Sequence, residues 1–258
     1  MNKISKNQIR QIILLKQKKL RNEKKLFVAE GEKLVHEILL SNLEIKTIVA
    51  IKEWIITNEK LLKNKIEVLE ATEEDLLRIS SLKTPNKVIA VIEIPKIKFI
   101  AENLKNKLTL VLDDIQDPGN FGTIIRLADW FGIENIICSE NTVEVYNPKT
   151  IQATMGAILR VNIFYLNLNE FFLENKENIQ LPVFGAFLTG ENLFKTELSP
   201  SGLIVMGNES KGISSKIASF INRRMTIPSF SQRIDKTESL NVSIATGIIC
   251  SEFKRRAL

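Results

Sequence analysis

The sequence predicts an α/β protein of two units, the second built on a mostly parallel sheet. Three observations carry this. Short runs rich in Val, Ile and Leu alternate with amphipathic stretches along the whole chain, as in strands joined through helices. Residues 95–106 (PKIKFIAENLKN) break the alternation and divide the chain into 1–95 and 107–258, with 96–106 as linker. The charge divides there too: residues 1–106 hold 21 Lys/Arg against 14 Asp/Glu, whereas 107–258 hold 15 against 16.

The elements follow in order. Residues 4–20 (ISKNQIRQIILLKQKKL) read as one basic amphipathic helix, 26–29 as a short strand, and 33–40 as a helix entered through Glu30-Gly31-Glu32. The β-branched run 44–51 is a strand, 53–63 is helical or irregular, and 66–69 is a strand. Thr72 caps a helix through Ile79, with three acids favourable in its first turn. Residues 88–94 form a strand ended by Pro95. In the second unit, 108–112 is an apolar strand, 117–120 a turn, and 121–131 a helix ended by Gly132. Strands at 135–138, 161–166, 183–188, 203–206 and 224–227 alternate with helices at 148–159 and 214–220. A last helix from Ser239, its expected N-cap, closes the chain with Lys254, Arg255 and Arg256 where the helix dipole favours cations.

Composition narrows the class. The hydrophobic fraction of 44% and charged fraction of 26% fit a soluble globular chain. Cys138 and Cys250 lie in apolar runs and read as buried thiols; with His36 as the single histidine, a zinc site is not expected. The longest apolar run near the N-terminus, residues 12–15, is too short for a secretory or membrane segment, so a cytoplasmic location without membrane attachment is expected. The first 30 residues hold nine Lys/Arg against two Asp/Glu. Such a cluster forms a solvated face or an attraction for a phosphate backbone.

Three stretches could carry chemistry. Asn120 stands where a strand's exit loop enters a helix, and Arg126 lies two turns along that helix. Gly207 and Gly212 bracket Asn208 and Glu209 after an apolar strand. That spacing invites a phosphate-loop reading, which fails because Ile213 stands where the lysine must be; nor is there a G-x-G-x-x-G, so nucleotide hydrolysis and dinucleotide binding lack their signatures. Ile227 and Pro228 end a strand, and Ser239, Leu240 and Asn241 open the last helix. In α/β proteins, ligands bind where strand ends and helix starts meet.

Together and in this order, these residues resemble the three motifs of the SpoU/TrmH family, RNA ribose 2′-O-methyltransferases of the SPOUT superfamily. The first motif corresponds to Asn120, Gly122 and Arg126, the second to Gly207, Asn208, Glu209 and Gly212, and the third to Ile227, Pro228, Ser239, Leu240 and Asn241. Residues 1–95, with Phe27-Val28-Ala29-Glu30-Gly31, resemble the family's substrate-binding domain, which is similar to ribosomal protein L30e. The loop from Ser229 to Glu238 departs from the family in length and charge.

The resemblance implies a trefoil knot in the catalytic domain and S-adenosylmethionine held by Leu188, Thr189, Gly190, Met206, Gly207, Ile227 and Leu240. It implies catalytic roles for Arg126, Asn120, Glu209, Ser239 and Asn241: Arg126 gripping the phosphate beside the reacting sugar, Asn120 orienting the ribose, Glu209 holding Arg126 or its loop, and Ser239 with Asn241 forming a wall. It implies a homodimer through the last helix and a structured RNA substrate, no metal being required. Ribosomal RNA is preferred, because the family's tRNA enzymes typically lack the N-terminal domain. A tRNA ribose methyltransferase and a catalytically silent RNA-binding paralogue are the alternatives.

Overall fold

A computed structural model describes residues 2–62, 65–82, 84–233, 235 and 237–257. The chain forms two compact units, one of Met1–Lys96 with Glu144–Leu159, the other of Ile97–Val143 with Arg160–Leu258. Residues 144–159 therefore fold with the first unit, although by sequence they belong to the stretch 107–258.

The first unit begins with β1 (Asn2–Lys3), α1 (Lys6–Leu14) and α2 (Lys18–Lys24). The single helix expected over 4–20 is thus two, broken around Leu15–Gln17. Ser5 and Gln8 close a capping box at the start of α1. Arg21 stabilises the break: it is 2% exposed, donates to the carbonyls of Leu15 (2.9 Å) and Lys16 (2.7 Å), and pairs with the Glu144 carboxylate. One of the nine N-terminal cations is therefore internal.

Then come β2 (Leu26–Glu30), α3 (Glu32–Leu40), β3 (Ile45–Ala50), α4 (Lys52–Thr57), β4 (Glu67–Glu70), α5 (Glu73–Ile79) and β5 (Val88–Glu93). Thr72 caps α5 as expected, with Asp75 completing a capping box. The sheet order is β1-β4-β3-β5-β2. This sheet is mixed, because β5 runs antiparallel to both β3 and β2. Period-two alternation splits its strands between two cores. Ile48, Val88, Ala90 and Ile92 join Phe27, Val35, Ile38 and Trp54 on one face, while Val49, Ile89 and Val91 join Ile12, Leu15 and Leu76 on the other.

The second unit opens within the expected linker, where Ala101 and Leu104 are buried in a short 3-10 turn. It continues with β6 (Leu108–Asp113), α6 (Pro118–Trp130) and β7 (Asn135–Ser139). Asp117 is the N-cap of α6 and Pro118 its first residue, so the turn expected at 117–120 is already the helix start. The chain then enters the first unit as α7 (Pro148–Thr154), placing Ile151 in the core with Phe27. This helix stops at Thr154 rather than 159, since Met155 and Gly156 both take positive φ.

Back in the second unit come β8 (Asn162–Leu166), α8 (Leu168–Glu174), a helix additional to those expected, and β9 (Val183–Asn192). β10 (Gly202–Gly207), α9 (Ser215–Ala218), β11 (Arg223–Thr226) and α10 (Val242–Arg256) follow. The order is β11-β9-β10-β6-β7-β8, every pairing parallel. Strands such as Leu203-Ile204-Val205-Met206 are buried throughout, as a parallel sheet covered on both faces requires.

Candidate active site

The sheet reverses direction of growth at β6, with β7 and β8 laid down on one side and β10 on the other. Loops leaving the carboxyl ends of strands beside such a point diverge, and a cleft forms between them. Gly207 ends β10 directly opposite Asp113, which ends β6, so residues 113–120 and 207–213 emerge side by side.

Asp114 turns the first of these loops. It takes φ +62°, held by Ser139 Oγ accepting its N–H (2.9 Å) and by Asn208 Nδ2 donating to its carbonyl (2.7 Å). The Asp113 carboxylate accepts the N–H of Ser214 at 2.7 Å, joining the two loops again. In the second loop, Asn208 and Gly212 exchange two main-chain hydrogen bonds (3.1 and 2.9 Å). A Cβ on Gly207 would lie 2.2 Å from the backbone nitrogen of Ile213; glycine here is a steric necessity.

Glu209 reaches across to β6's loop. One carboxylate oxygen accepts the N–H of Gln116 (3.3 Å), the other the N–H of Asp117 (3.2 Å) and Asn120 Nδ2 (3.1 Å). Burial pushes the Glu209 carboxyl up. Hydrogen bonds from its own backbone, Asn120, Asp117 and Gln116 outweigh that and hold it below its ordinary value. Glu209 thus organises the loop, not Arg126.

Asn241, rather than Ser239, is the N-cap of α10. Its Oδ1 accepts the N–H groups of Ser243 (2.9 Å) and Ile244 (3.4 Å) and the Ser243 hydroxyl (2.6 Å). An oxygen is needed there, so the amide orientation is fixed and Nδ2 must point away. It donates to Asn120 Oδ1 at 2.9 Å, which in turn obliges Asn120 to present Nδ2 to Glu209. A one-way chain, Asn241 to Asn120 to Glu209, therefore joins all three motif loops.

Arg126 is outside this chain. It is exposed on α6, six residues past Asn120, which places it about 120° round the helix and about 9 Å along it. Among the described residues it has no ion-pair or hydrogen-bond partner. Ser239 is exposed and outside the network as well.

The residues expected to hold the cofactor lie on the neighbouring strands. β9 pairs with β10 only through Gly185. On β11, the partner of Arg224 is Gly185, but that of Met225 is Glu191. Residues 186–190 thus have no register partner on β11 and bulge from the ladder, leaving Leu188, Thr189 and Gly190 exposed. Two contacts hold the extrusion: Thr226 Oγ1 donates to the Leu188 carbonyl (3.1 Å), and the Arg224 guanidinium lies 4.0 Å from the centre of the Phe187 ring. Gly190 passes so close to β11 that a Cβ would lie 2.4 Å from the Arg224 carbonyl oxygen. Met206 is buried beneath Gly207, Ile227 is half-buried just beyond β11, and Leu240 is 49% exposed. An exposed main-chain bulge with flanking aliphatic side chains suits an adenosyl group, which needs donors, acceptors and apolar faces without bulk. No group of three or more His, Cys, Asp or Glu among the described residues could hold a metal. Nor is any helix among them long and apolar enough to cross a membrane.

An all-parallel α/β unit with a polar network at its switch point and a bulged strand beside it defines a ligand-binding α/β domain. Comparison with known proteins places it: residues 107–251 match the SpoU rRNA Methylase family and residues 6–90 an MRM3-like substrate binding domain. The chain belongs to the SpoU/TrmH family. It is 29% identical over 233 residues to the 23S rRNA (guanosine(2553)-2'-O)-methyltransferase RlmP of Bacillus subtilis, covering 90% of each chain. The AdoMet-bound rRNA methyltransferase of Sinorhizobium meliloti superposes over all of this chain and 98% of its own, with a TM-score of 0.86 at 29% identity. A Porphyromonas gingivalis protein placed in the TrmH family of RNA methyltransferases gives 0.87 at 37% identity, covering 98% and 99%.

Proposed function

We propose that this protein transfers the methyl group of S-adenosylmethionine to a ribose 2′-hydroxyl of ribosomal RNA. The observation that carries the reading is the convergence of three separated loops on one hydrogen-bonded chain, Asn241–Asn120–Glu209, beside the extruded segment 186–190. Family membership and the rRNA enzymes among the relatives support it.

The sulfonium supplies an activated methyl group, so the protein's contribution is positioning and charge. Leu188, Thr189, Gly190, Met206, Gly207, Ile227 and Leu240 would hold the cofactor, with the chain about them threaded as the family's knot. Asn120, its amide fixed from both sides, orients the ribose. Arg126 offers a guanidinium with no internal partner among the described residues, suited to the phosphate beside the target sugar and to the developing alkoxide. Guanidinium groups keep their proton in proteins, so Arg126 acts by charge and the hydroxyl proton leaves to phosphate or water. The first unit, with its excess of Lys and Arg, engages structured RNA.

The location is cytoplasmic and the assembly a homodimer through α6 and α10. Their exposed apolar residues, Trp130 (84%) and Ile244 (57%), support that surface. The test is transfer of radiolabelled methyl from S-adenosylmethionine to unmodified ribosomal RNA, with mapping of 2′-O-methyl sites. One resistant ribose is expected with the wild type and none with Arg126→Ala, which keeps its cofactor affinity. Label on a base, or full activity of Arg126→Ala, overturns the reading.

A further inference from the structure

The cations closing α10 do more than complement the helix dipole. Arg256 turns back from the last turn and donates to three consecutive-turn carbonyls: Thr196 (2.6 Å), Phe194 (2.6 Å) and Leu193 (3.3 Å). Its Nε donates to Glu252 Oε1 at 2.7 Å. Four of its five N–H donors are thus used, three on main chain. Glu252, 7% exposed, is itself gripped by Arg255 through both oxygens. The ring of Phe253 meets Phe184 of β9 edge-on at 4.9 Å between centroids.

The turn so held is the downstream foot of the extruded segment. Residues 186–190 leave the ladder after Gly185 and rejoin it at Glu191 and Asn192; residues 193–196 follow immediately. The turn's own ties run largely to Asn192, whose Oδ1 accepts the Phe194 N–H (2.9 Å) and whose carbonyl accepts the Thr196 hydroxyl (2.9 Å). Leu193 N–H donates to the Thr226 carbonyl, and Lys195 and Thr196 N–H return to Asn192, but these leave the carbonyls of 193, 194 and 196 to Arg256. Without it the carbonyls of Leu193 and Thr196, residues 0% and 2% exposed, lose their donor, whereas that of Phe194, 43% exposed, is open to water.

We infer that Arg256 is a positioning residue for cofactor binding, acting at a distance by fixing the foot of the 186–190 extrusion through the 193–196 turn. The inference rests on the reading that Leu188, Thr189 and Gly190 contact S-adenosylmethionine. A planar fork is required to span three carbonyls; lysine, with equal charge, makes one or two. Charge and dipole effects are therefore separable from the clamp.

The experiment compares full-length wild type with Arg256→Ala, Arg256→Lys and the milder Glu252→Gln, which leaves the carbonyl contacts available. Three readouts are taken: hydrogen exchange of residues 188–196, calorimetric affinity for S-adenosylmethionine, and methyl transfer at saturating cofactor. Both Arg256 variants are expected to exchange faster through 188–196. They also bind the cofactor about tenfold more weakly, with kcat at saturation within about twofold and the KM for RNA unchanged. Glu252→Gln shifts both quantities less, in the same direction. Unchanged exchange in Arg256→Lys overturns the clamp. Faster exchange with unchanged cofactor affinity overturns its link to binding and locates the fault in the assignment of 188–190, not in the methyltransferase reading.

Discussion

Replacing Asn241 by Asp separates two functions that one amide performs. The carboxylate keeps the acceptor that caps α10, because Asp and Asn are equivalent N-caps. It removes the donor to Asn120 Oδ1, now 2.9 Å away, and sets two oxygens face to face. Asn120 cannot escape by turning its amide over, since that would aim Oδ1 at Glu209 Oε1, now 3.1 Å from Nδ2. One junction of the chain is broken in either orientation. The cost of leaving such a group unpaired is about 1–3 kcal/mol. Expressed in the reaction, its upper half is about a hundredfold in kcat/KM. Expressed in folding it is smaller, because the site is open to water and the cap survives. Methyl transfer to rRNA and urea unfolding together form the assay. Asn241→Asp is predicted to unfold within about 1 kcal/mol of wild type while losing about a hundredfold in kcat/KM. Asn241→Ala loses both activity and the cap. A double-mutant cycle with Asn120→Ala is predicted to show coupling of more than about 0.5 kcal/mol. Wild-type activity in a stable Asn241→Asp protein would refute the reasoning.

Three other perturbations have defined outcomes. Gly207→Ala forces a methyl group to within 2.2 Å of the Ile213 nitrogen, so the second motif loop must shift. Loss of calorimetric binding of S-adenosylmethionine and a lowered melting temperature are expected, and ordinary binding would show that the loop gives way. The Glu252 carboxyl is held down to about 2, first by hydrogen bonding from Arg255 and then from Arg256, against burial. Since its folded value lies below the ordinary one, its stabilisation is present above about pH 4.5 and is lost as pH falls towards 2. With Arg255 66% exposed, on the order of 1–2 kcal/mol is expected: Glu252→Gln is less stable by that amount at pH 7, and the gap in urea unfolding closes near pH 2. Removing residues 1–95 strips Ile151 of partners such as Phe27 and Val35. The remaining fragment is predicted to bind a hydrophobic dye and to melt lower than the full chain, and a fragment of unchanged stability would contradict the assignment of 144–159 to the first unit.

The parts legible in the sequence were those set by local pattern. Apolar runs located the strands of both sheets except β1, the polar pair Asn2–Lys3, and Thr72 with its acids located α5. The N-cap Asp117 was also legible: Asp-Pro-Gly-Asn is an N-cap with proline in the first turn, yet as a string of turn formers it read as a turn. Ser239 and Asn241 are equally good caps by residue type, and only the contact with Asn120, 121 residues away, distinguishes them. The break in the first helix depends on a buried Arg21 whose partner Glu144 is 123 residues distant. The extrusion of 186–190 arises from the register of β11 against β9, a pairing that no local window contains. In the site, the motif residues were found, and of the two targets expected for Glu209, Arg126 or its loop, the structure has the loop; which amides it bonds was not legible, because a carboxylate that bonds two backbone amides leaves no mark on the residues supplying them.

The central claim is that the extruded strand and the ends of β10 and β11 form one cofactor site beside Asn120. The most direct measurement is a crystal structure of this protein soaked with S-adenosylmethionine. The account predicts the adenosyl group against residues 188–190, Gly207 and Ile227, with the methyl group directed towards Asn120. Cofactor bound away from Gly207, or with its methyl group on the side of β10 remote from Asn120, would contradict it.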